Sequence, residues 1–303
     1  MTEQQQQPKV SIVIASVNGP VCLHDCLDSL MNQDGNISAE IIVADCCGDA
    51  TARMAAEKFP GVDFTQFQER KTIPELRAFG MLRSKGEIVA ITEDHCIAPR
   101  DWFQQMVHAH EAHDCDAAGG AIENAATHRI IDWAVFFCEY LRYMNPIPEG
   151  YTHDIPGNNA SYKRPVLEVM RDLLEGGYWE GFLHARLVEK QKKIYCSPKM
   201  VILHKKSFGF GEFLSQRYHY GKSYAGMRNE ISTPAKRAFY IIFSPLLPPV
   251  LVYRMVKLTM LKKRFRKEAI LSIPYLLTFS LFWAAGEFMG YVFGPGDSLA
   301  KVE

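Results

Sequence analysis

Residues 88–96 read IVAITEDHC, a β-branched apolar run followed by two carboxylates, an imidazole and a thiol. Two similar runs occur earlier in the chain, SIVIA at residues 11–15 and IIVAD at residues 41–45. Short uninterrupted apolar runs of this kind are typical of strands that are buried on both faces of a parallel sheet. The three runs therefore predict three interior strands, each with polar residues at or just after its carboxyl end.

Helix-like segments separate these runs and cover residues 21–31, 50–59 and 74–83. This alternation predicts an α/β fold, with a mostly parallel sheet, right-handed crossovers and flanking helices. Ligands of such sheets bind beyond the carboxyl ends of the strands. The candidate site residues therefore follow the strands, at 16–18, 45–49 and 93–95.

Two common nucleotide-binding fingerprints do not occur in the sequence. No GxGxxG follows the first apolar run, and no GxxxxGK[ST] is found, which disfavours a nicotinamide-type Rossmann site and a P-loop. The carboxylates at residues 93–94 instead suit a divalent cation, either Mn²⁺ or Mg²⁺, that bridges the oxygens of a bound diphosphate. The imidazole beside them favours Mn²⁺ over Mg²⁺.

Length and charge limit the function classes. The chain has 303 residues, about twice the ~150-residue prior for one domain, so we expect two domains or one domain with an appendage. Its 34 basic and 34 acidic residues disfavour nucleic-acid binding, which requires an excess of basic charge. Eight cysteines without a CxxC pair predict reduced thiols, and the polar first residues do not resemble a signal peptide.

The last third of the chain has a different character. Residues 238–253 and 269–286 carry no charge, and between them residues 254–267 contain seven basic residues and no Asp or Glu. Three prolines, at 245, 248 and 249, predict a broken, interfacial or re-entrant first segment, whereas the second is long enough to span a bilayer or to lie in its interface. The basic run is then expected at the anionic cytoplasmic leaflet. The alternative is a soluble helical hairpin.

The order and spacing of seven segments resemble family 2 glycosyltransferases of the GT-A fold. These segments are residues 10–18, 40–49, 77–80, 86–95, 157–164, 178–187 and 204–222. The resemblance implies three parts: a disordered tail at residues 1–7, a GT-A glycosyltransferase domain at residues 8–225, and a helical membrane-associated region at residues 226–303.

The resemblance also implies an activity. An inverting, metal-dependent hexosyltransferase of this type moves a sugar from a nucleotide-diphosphate donor, with a UDP-sugar favoured, to a hydroxyl of a lipid-linked or growing glycan acceptor. The implied location is the cell membrane, with the catalytic domain in the cytoplasm. Two alternatives remain: a nucleotidyltransferase that makes nucleotide sugars, and a non-catalytic membrane-tethered binding protein on a transferase scaffold.

The donor-binding residues follow from matching positions. They are Ser16 and Asn18 in the loop against the nucleotide base, Asp45 as a base contact, Arg77 near the ribose or diphosphate, and Glu93 and Asp94. The structural alternative for Asp45 is a helix cap, and that for Arg77 is a solvated helix charge.

The family's metal-binding DxD element falls on Glu93, Asp94 and His95, so that Glu93 stands for its first aspartate and His95 for its last. The implied metal ligands are Asp94, His95 and, further along the chain, His204. A turn and a helix cap are the structural alternative for the first three residues.

The catalytic base of the family matches Glu180, and Trp179 takes the position of the glutamate before it. Glu180 reads alternatively as an acid stabilised by the dipole of a helix N-terminus. The remaining acceptor-side residues implied are Asn158 and Asn159, which are also typical turn residues.

Overall fold

The computed structural model describes residues 7–302, so that the predicted disordered tail lies, apart from Gln7, outside the described residues. The chain forms two compact units. The first contains the chain up to Glu123 together with Asn145–Lys205, and the second contains Asn124–Met144 and the chain from Lys206 onward.

In the described part of the chain, nine strands form one sheet. Their bounds are β1 Val10–Ser16, β2 Ala39–Asp45, β3 Asp63–Gln66, β4 Ile88–Glu93, β5 Cys96–Ile97, β6 Ala117–Asn124, β7 Gly150–Thr152, β8 Ala160–Lys163 and β9 Ile194–His204. The order is β3-β2-β1-β4-β8-β6-β9-β5, and β7 pairs with β9.

The predicted α/β class is confirmed, and the three apolar runs lie within β1, β2 and β4. Strands β3, β2, β1 and β4 pair in parallel. Strand β8 pairs antiparallel with β4 and β6, and β9 pairs antiparallel with β5 and β7. The sheet is therefore mixed rather than mostly parallel.

The helices of the first unit are α1 Pro20–Met31, α2 Asp49–Lys58, α3 Ile73–Arg83, α4 Trp102–Ala112, α6 Arg171–Glu175 and α7 Glu180–Glu189. Those of the second are α5 Ile130–Glu139, α8 Phe210–Glu230, α9 Pro234–Phe243, α10 Leu247–Lys262, α11 Arg266–Leu271 and α12 Ile273–Phe293. The three helices predicted from the sequence correspond to α1, α2 and α3 within one residue at each end.

Two glycines turn the chain from a strand into the next helix. Gly19 has φ 87° between β1 and α1, and Gly48 has φ 95° between β2 and α2. Residues with a Cβ rarely adopt this left-handed conformation, so glycine permits both short connections. Helix α3 packs closely on β1. A Cβ added at Gly80 would lie 2.3 Å from Val13 Cγ1, so the glycine permits this close approach. The carboxyl ends of β1 and β2 thus open onto short loops.

The helices of the second unit include two stretches long and apolar enough to cross a membrane by length and composition, Pro234–Lys262 and Ile273–Phe293 among the described residues. A core helix of a soluble protein would pass the same test. The first stretch changes to a 3-10 turn at Ser244–Leu246, next to the prolines. The predicted domain boundary at residue 225 falls inside α8.

Candidate active site

The carboxyl ends of three parallel strands lie side by side at one edge of the sheet. Ser16 at the end of β1 is in register with Asp45 at the end of β2, and Ala15 is in register with Glu93 at the end of β4. The antiparallel strands add residues from distant parts of the chain: Ile91 faces Ala160, and Cys96 faces His204. The sheet therefore collects most of the predicted site residues.

Asp45 is fully buried and holds the loop that follows its own strand. Its Oδ1 accepts a hydrogen bond from Ser16 Oγ at 2.7 Å, and its Oδ2 accepts from the backbone amides of Cys47 and Gly48 at 2.9 and 3.3 Å. The Cys47 thiol is in turn bonded by the Gly19 amide at 3.1 Å. Ser16 and Asp45 thus fix the two loops that border the predicted base-binding region.

Asp94 is held by the loop after β1. Its Oδ2 accepts from the backbone amides of Val17 and Asn18 at 2.8 and 2.7 Å, and its Oδ1 accepts from Asn18 Nδ2 at 2.7 Å. His95 Nδ1 lies 3.0 Å from the same Oδ1. Both oxygens of this predicted metal ligand are therefore engaged by protein groups, and one of them orients the His95 ring.

The opposite nitrogen of His95 faces two further candidate ligands. His95 Nε2 lies 3.0 Å from His204 Nε2 and 3.2 Å from Glu93 Oε2. Cys96, whose thiol is also buried, completes with Glu93 and His95 a group whose ligand atoms all lie within 4.8 Å of one another. Carboxylate, imidazole and thiol form a ligand set that suits a first-row transition metal.

Arg77 joins Glu93 to the predicted catalytic base. Its guanidinium donates through Nη2 to Glu93 Oε1 at 2.7 Å and through Nη1 to Glu180 Oε1 at 2.5 Å. All three residues have little exposure, with side-chain exposed fractions of 4%, 16% and 9% in that order. The fork geometry of arginine suits this double contact. Arg77 is therefore an ion-pairing centre rather than a solvated helix charge.

The charge state of the Glu93 region follows from its neighbours. Burial alone would raise the pKa of Glu93, but the hydrogen bond with His95 and the positive charges of His95 and Arg77 outweigh burial and hold the pKa well below its usual value. The pKa of Asp94 is also lowered, because the hydrogen bonds from His95 and Asn18 outweigh the effect of its burial. Both carboxylates are consequently ionised at neutral pH.

Glu180 begins α7, directly after its N-cap residue Trp179. The carboxylate lies against the backbone of the loop before β8, since a Cβ at Gly157 would come within 2.7 Å of Glu180 Oε2. Glycine is therefore the residue that leaves room for Glu180 at this position. Trp179 is buried as well.

The two predicted asparagines have different environments. Asn158 donates through Nδ2 to Glu93 Oε2 at 3.1 Å, and its buried Oδ1 finds no hydrogen-bond partner among the described residues. The side chain of Asn159 is used by the scaffold: it accepts from Trp102 Nε1 and donates to the carbonyls of Ala121 and Met200. Of the two asparagines, Asn158 is therefore the one whose side-chain oxygen has no hydrogen-bond partner among the described residues.

Sequence reasoning missed the contribution of Cys96, Cys47 and Gly157, and the pairing of Arg77 with both carboxylates. Cys96 immediately follows the acidic element, which is a local signal for a further ligand. The sequence carries no comparable signal for Arg77 and Glu180, which are 103 residues apart. Their contact depends on how α3 and α7 pack.

The site and fold agree with the comparison to known families. The model for glycosyl transferase family 2 matches residues 11–170, more than half of the chain. The chain belongs to glycosyl transferase family 2. The matched range includes Glu93 and its neighbours and ends before Glu180. A search of curated proteins finds no match.

One solved structure confirms the GT-A type of fold expected for this family. Mannosyltransferase PcManGT from Pyrobaculum calidifontis, solved with GDP-Man and Mn²⁺, is 16% identical, with a TM-score of 0.60 over 95% of this chain and 88% of that chain. The S. aureus protein TarS 1–349, solved with UDP-GlcNAc, is 14% identical, with a TM-score of 0.49 over 66% of this chain and 59% of that chain. The family match makes the chain a glycosyltransferase, and the likeness to PcManGT concerns its fold.

Proposed function

We propose that this glycosyltransferase is an inverting, metal-dependent enzyme that uses a nucleotide-diphosphate sugar, with Glu180 as its catalytic base. The observation that carries the proposal is the double ion pair of Arg77 with Glu93 and Glu180. Glu93 is on the proposed leaving-group side of the reaction, and Glu180 is on the proposed acceptor side. Both carboxylates bond to the same guanidinium group, so one sugar could contact both sides.

Glu93 and His95 would hold the divalent cation, with Cys96 and His204 as the further candidate ligands beside them. Two nitrogens bound to one ion at ~2.0–2.1 Å each must lie within about 4.2 Å of one another, and the His95 and His204 Nε2 atoms satisfy this at 3.0 Å. The imidazoles favour Mn²⁺ over Mg²⁺. When bound, the cation would neutralise negative charge on the departing diphosphate. Asp94 would contribute mainly by orienting His95, as carboxylates do for metal-bound histidines.

Glu180 would take the proton of the acceptor hydroxyl. As that proton moves to the carboxylate, the hydroxyl oxygen bonds to the anomeric carbon from one face and the bond to the diphosphate breaks on the other, which inverts the configuration. Arg77 would hold the Glu180 carboxylate in one orientation before the acceptor arrives. Asn158 Oδ1, which is buried and has no hydrogen-bond partner among the described residues, would accept a hydrogen bond from a sugar hydroxyl. Asn159 and Trp179 would support the acceptor side.

The donor would lie along the loops after β1 and β2. Asn18 reaches both Asp94 and His95, so it would connect the nucleotide loop to the cation. Because both oxygens of Asp45 are bonded within the protein, we propose that Ser16 and Asp45 shape the base pocket through their loops. A UDP-sugar remains the favoured donor from the family resemblance.

The acceptor would be lipid-linked or a growing glycan at the cytoplasmic face of the cell membrane. Large apolar side chains along Pro234–Lys262 are exposed, among them Phe239, Ile242, Tyr253 and Leu261. Exposed apolar surface of this extent is typical of membrane contact. The basic residues after Tyr253 would lie at the anionic leaflet.

The decisive experiment measures transfer and donor hydrolysis across a panel of nucleotide sugars, with and without Mn²⁺, for the parent chain and Glu180→Gln. We expect turnover that Mn²⁺ stimulates and that the substitution lowers by ~10²-fold or more, the scale of losing a general base. Glu189→Gln is the matched control, because it makes the same change at the exposed end of the same helix.

Three results would contradict the proposal. Unchanged turnover in Glu180→Gln would remove Glu180 from the mechanism. Turnover that is independent of any divalent cation would remove the metal. Release of pyrophosphate from a nucleoside triphosphate and a sugar phosphate would indicate the nucleotidyltransferase instead.

A further inference from the structure

A chain of three hydrogen-bonded side chains lies behind the proposed base. Tyr162 Oη and His184 Nε2 are 2.8 Å apart, and His184 Nδ1 and Asp154 Oδ1 are 2.7 Å apart. Tyr162 and His184 are buried, whereas the Asp154 side chain is 27% exposed. None of the three residues has a part in the chemistry proposed above.

In this chain, each of the two ring nitrogens of His184 bonds to one neighbouring side chain. Burial, followed by the negative charge of Glu180, raises the pKa of Tyr162 well above its usual value, so the phenol keeps its proton. Tyr162 is thus the partner of Nε2 as a hydroxyl group, and the Asp154 carboxyl group is the partner of Nδ1. Every ring nitrogen and the phenol are satisfied, as buried polar groups require. The two hydrogen bonds together fix the orientation of the His184 ring.

The three side chains come from the segments that surround Glu180. His184 is on α7 four residues after Glu180, one turn along the same helix face. Tyr162 is on β8, in register with Val89 of β4. Asp154 precedes Gly157, whose backbone is in close contact with the Glu180 carboxylate. One imidazole therefore ties the first turns of α7 to the sheet and to the Gly157 loop.

We infer that His184 is a positioning residue: together with Tyr162 and Asp154 it fixes the N-terminal turn of α7, so that Glu180 stays between Arg77 and Gly157. This inference rests on the proposed role of Glu180. Misplacing a catalytic group by about 1 Å costs up to ~10²-fold in rate, so a small movement of this turn is sufficient to matter. A buried histidine that only stabilised the core would leave the chemistry of the folded protein unchanged.

The test compares Tyr162→Phe and His184→Gln in the full chain. Each is expected to lower kcat by ~10-fold or more, with the KM for the donor changed less than twofold, because the base is displaced and the donor loops are not. The double variant should be no slower than His184→Gln alone, since both act through one hydrogen-bond chain. Tyr195→Phe is the matched control: it removes the hydroxyl of another buried tyrosine, bonded to Glu149, and should keep the parent kcat.

Hydrogen exchange supplies a measurement that does not depend on activity. We expect the amides of residues 182–184 to exchange ~10-fold faster or more in Tyr162→Phe and His184→Gln, with residues 186–189 nearly unchanged. Unchanged exchange at residues 182–184, or losses of kcat that follow only the loss of folded protein, would overturn the inference. If Glu180→Gln is inactive while Tyr162→Phe and His184→Gln keep the parent kcat, only the inference fails. If Glu180→Gln is as active as the parent, the proposed function fails.

Discussion

The carboxylates at the active-site edge fall into two regions that differ in what binds them. Asp45 and Asp94, which we call the loop carboxylates, accept hydrogen bonds from the backbone amides of the loops after β2 and β1. Glu93 and Glu180, which we call the facing carboxylates, are held by the Arg77 side chain. Backbone donors are fixed by the fold, whereas side-chain partners are able to rearrange when a ligand binds. We therefore propose an architectural role for the first region and a chemical role for the second.

The largest effect is expected from Arg77→Met, which leaves two buried carboxylates without their shared cation. Breaking a buried ion pair on one side costs ~3–5 kcal/mol, so we expect the free energy of unfolding to fall by about that amount and transfer to be lost. Chemical denaturation measures the free energy of unfolding, and a transfer assay measures the activity. Arg83→Met is the control on the same helix: its pair with Asp63 is exposed, and we expect at most ~1 kcal/mol. A stable, active Arg77→Met variant would contradict the bridging role.

Gly157→Ala should affect rate more than stability. The new methyl would lie 2.7 Å from Glu180 Oε2, so the carboxylate has to shift, and we expect kcat to fall by ~10–10²-fold. Steady-state kinetics and thermal unfolding separate the two effects. Gly61→Ala provides the comparison, because a Cβ there meets nothing within 4 Å. Equal kcat in both variants would show that the contact with Gly157 does not matter.

Asp94→Asn distinguishes a ligand from a residue that orients one. If Asp94 acts through His95 Nδ1, the substitution should weaken Mn²⁺ binding by ~10–100-fold, as for other residues behind metal ligands. His204→Ala removes a proposed ligand and should weaken Mn²⁺ binding more than Asp94→Asn does. Titration calorimetry with Mn²⁺ measures both affinities. A larger loss in Asp94→Asn than in His204→Ala would make Asp94 the direct ligand.

Asp45→Asn should have the smallest effect on chemistry. The amide still accepts one hydrogen bond but loses the charge that serves the Cys47 and Gly48 amides, and we expect ~1–2 kcal/mol of lost stability with kcat near that of the parent. Denaturation and kinetics at saturating donor test this. A collapse of kcat without loss of stability would move Asp45 from the loop carboxylates to the facing ones.

Much of the parallel half of the fold was predictable from sequence, because each of its central strands is a continuous apolar run that ends in polar residues. The antiparallel half was not predictable in the same way. Strand β8 has four residues and β6 contains two adjacent glycines, so neither has a strong strand pattern. Their positions are set by pairing with β4 and β9.

The site residues show a similar division. Sequence position named Glu93, His95, His204 and Glu180, but it could not give the direction of a side chain. Asp94 was predicted as a metal ligand, a role that remains untested, yet its carboxylate is turned toward the amides of Val17 and Asn18. The Tyr162–His184–Asp154 chain joins residues up to 30 positions apart, and only the packing of α7 on the sheet brings them together.

The central claim is that Glu180 deprotonates the acceptor hydroxyl while the diphosphate leaves on the Glu93 side. It is tested most directly by Glu180→Ala with azide as the acceptor. Azide carries no proton, so its attack on the anomeric carbon needs no base. We predict that Glu180→Ala loses transfer to hydroxyl acceptors but forms a glycosyl azide of inverted configuration, observed by NMR, at a rate near that of the parent with azide. Failure to form the azide product, or formation of a product with retained configuration, would contradict the account.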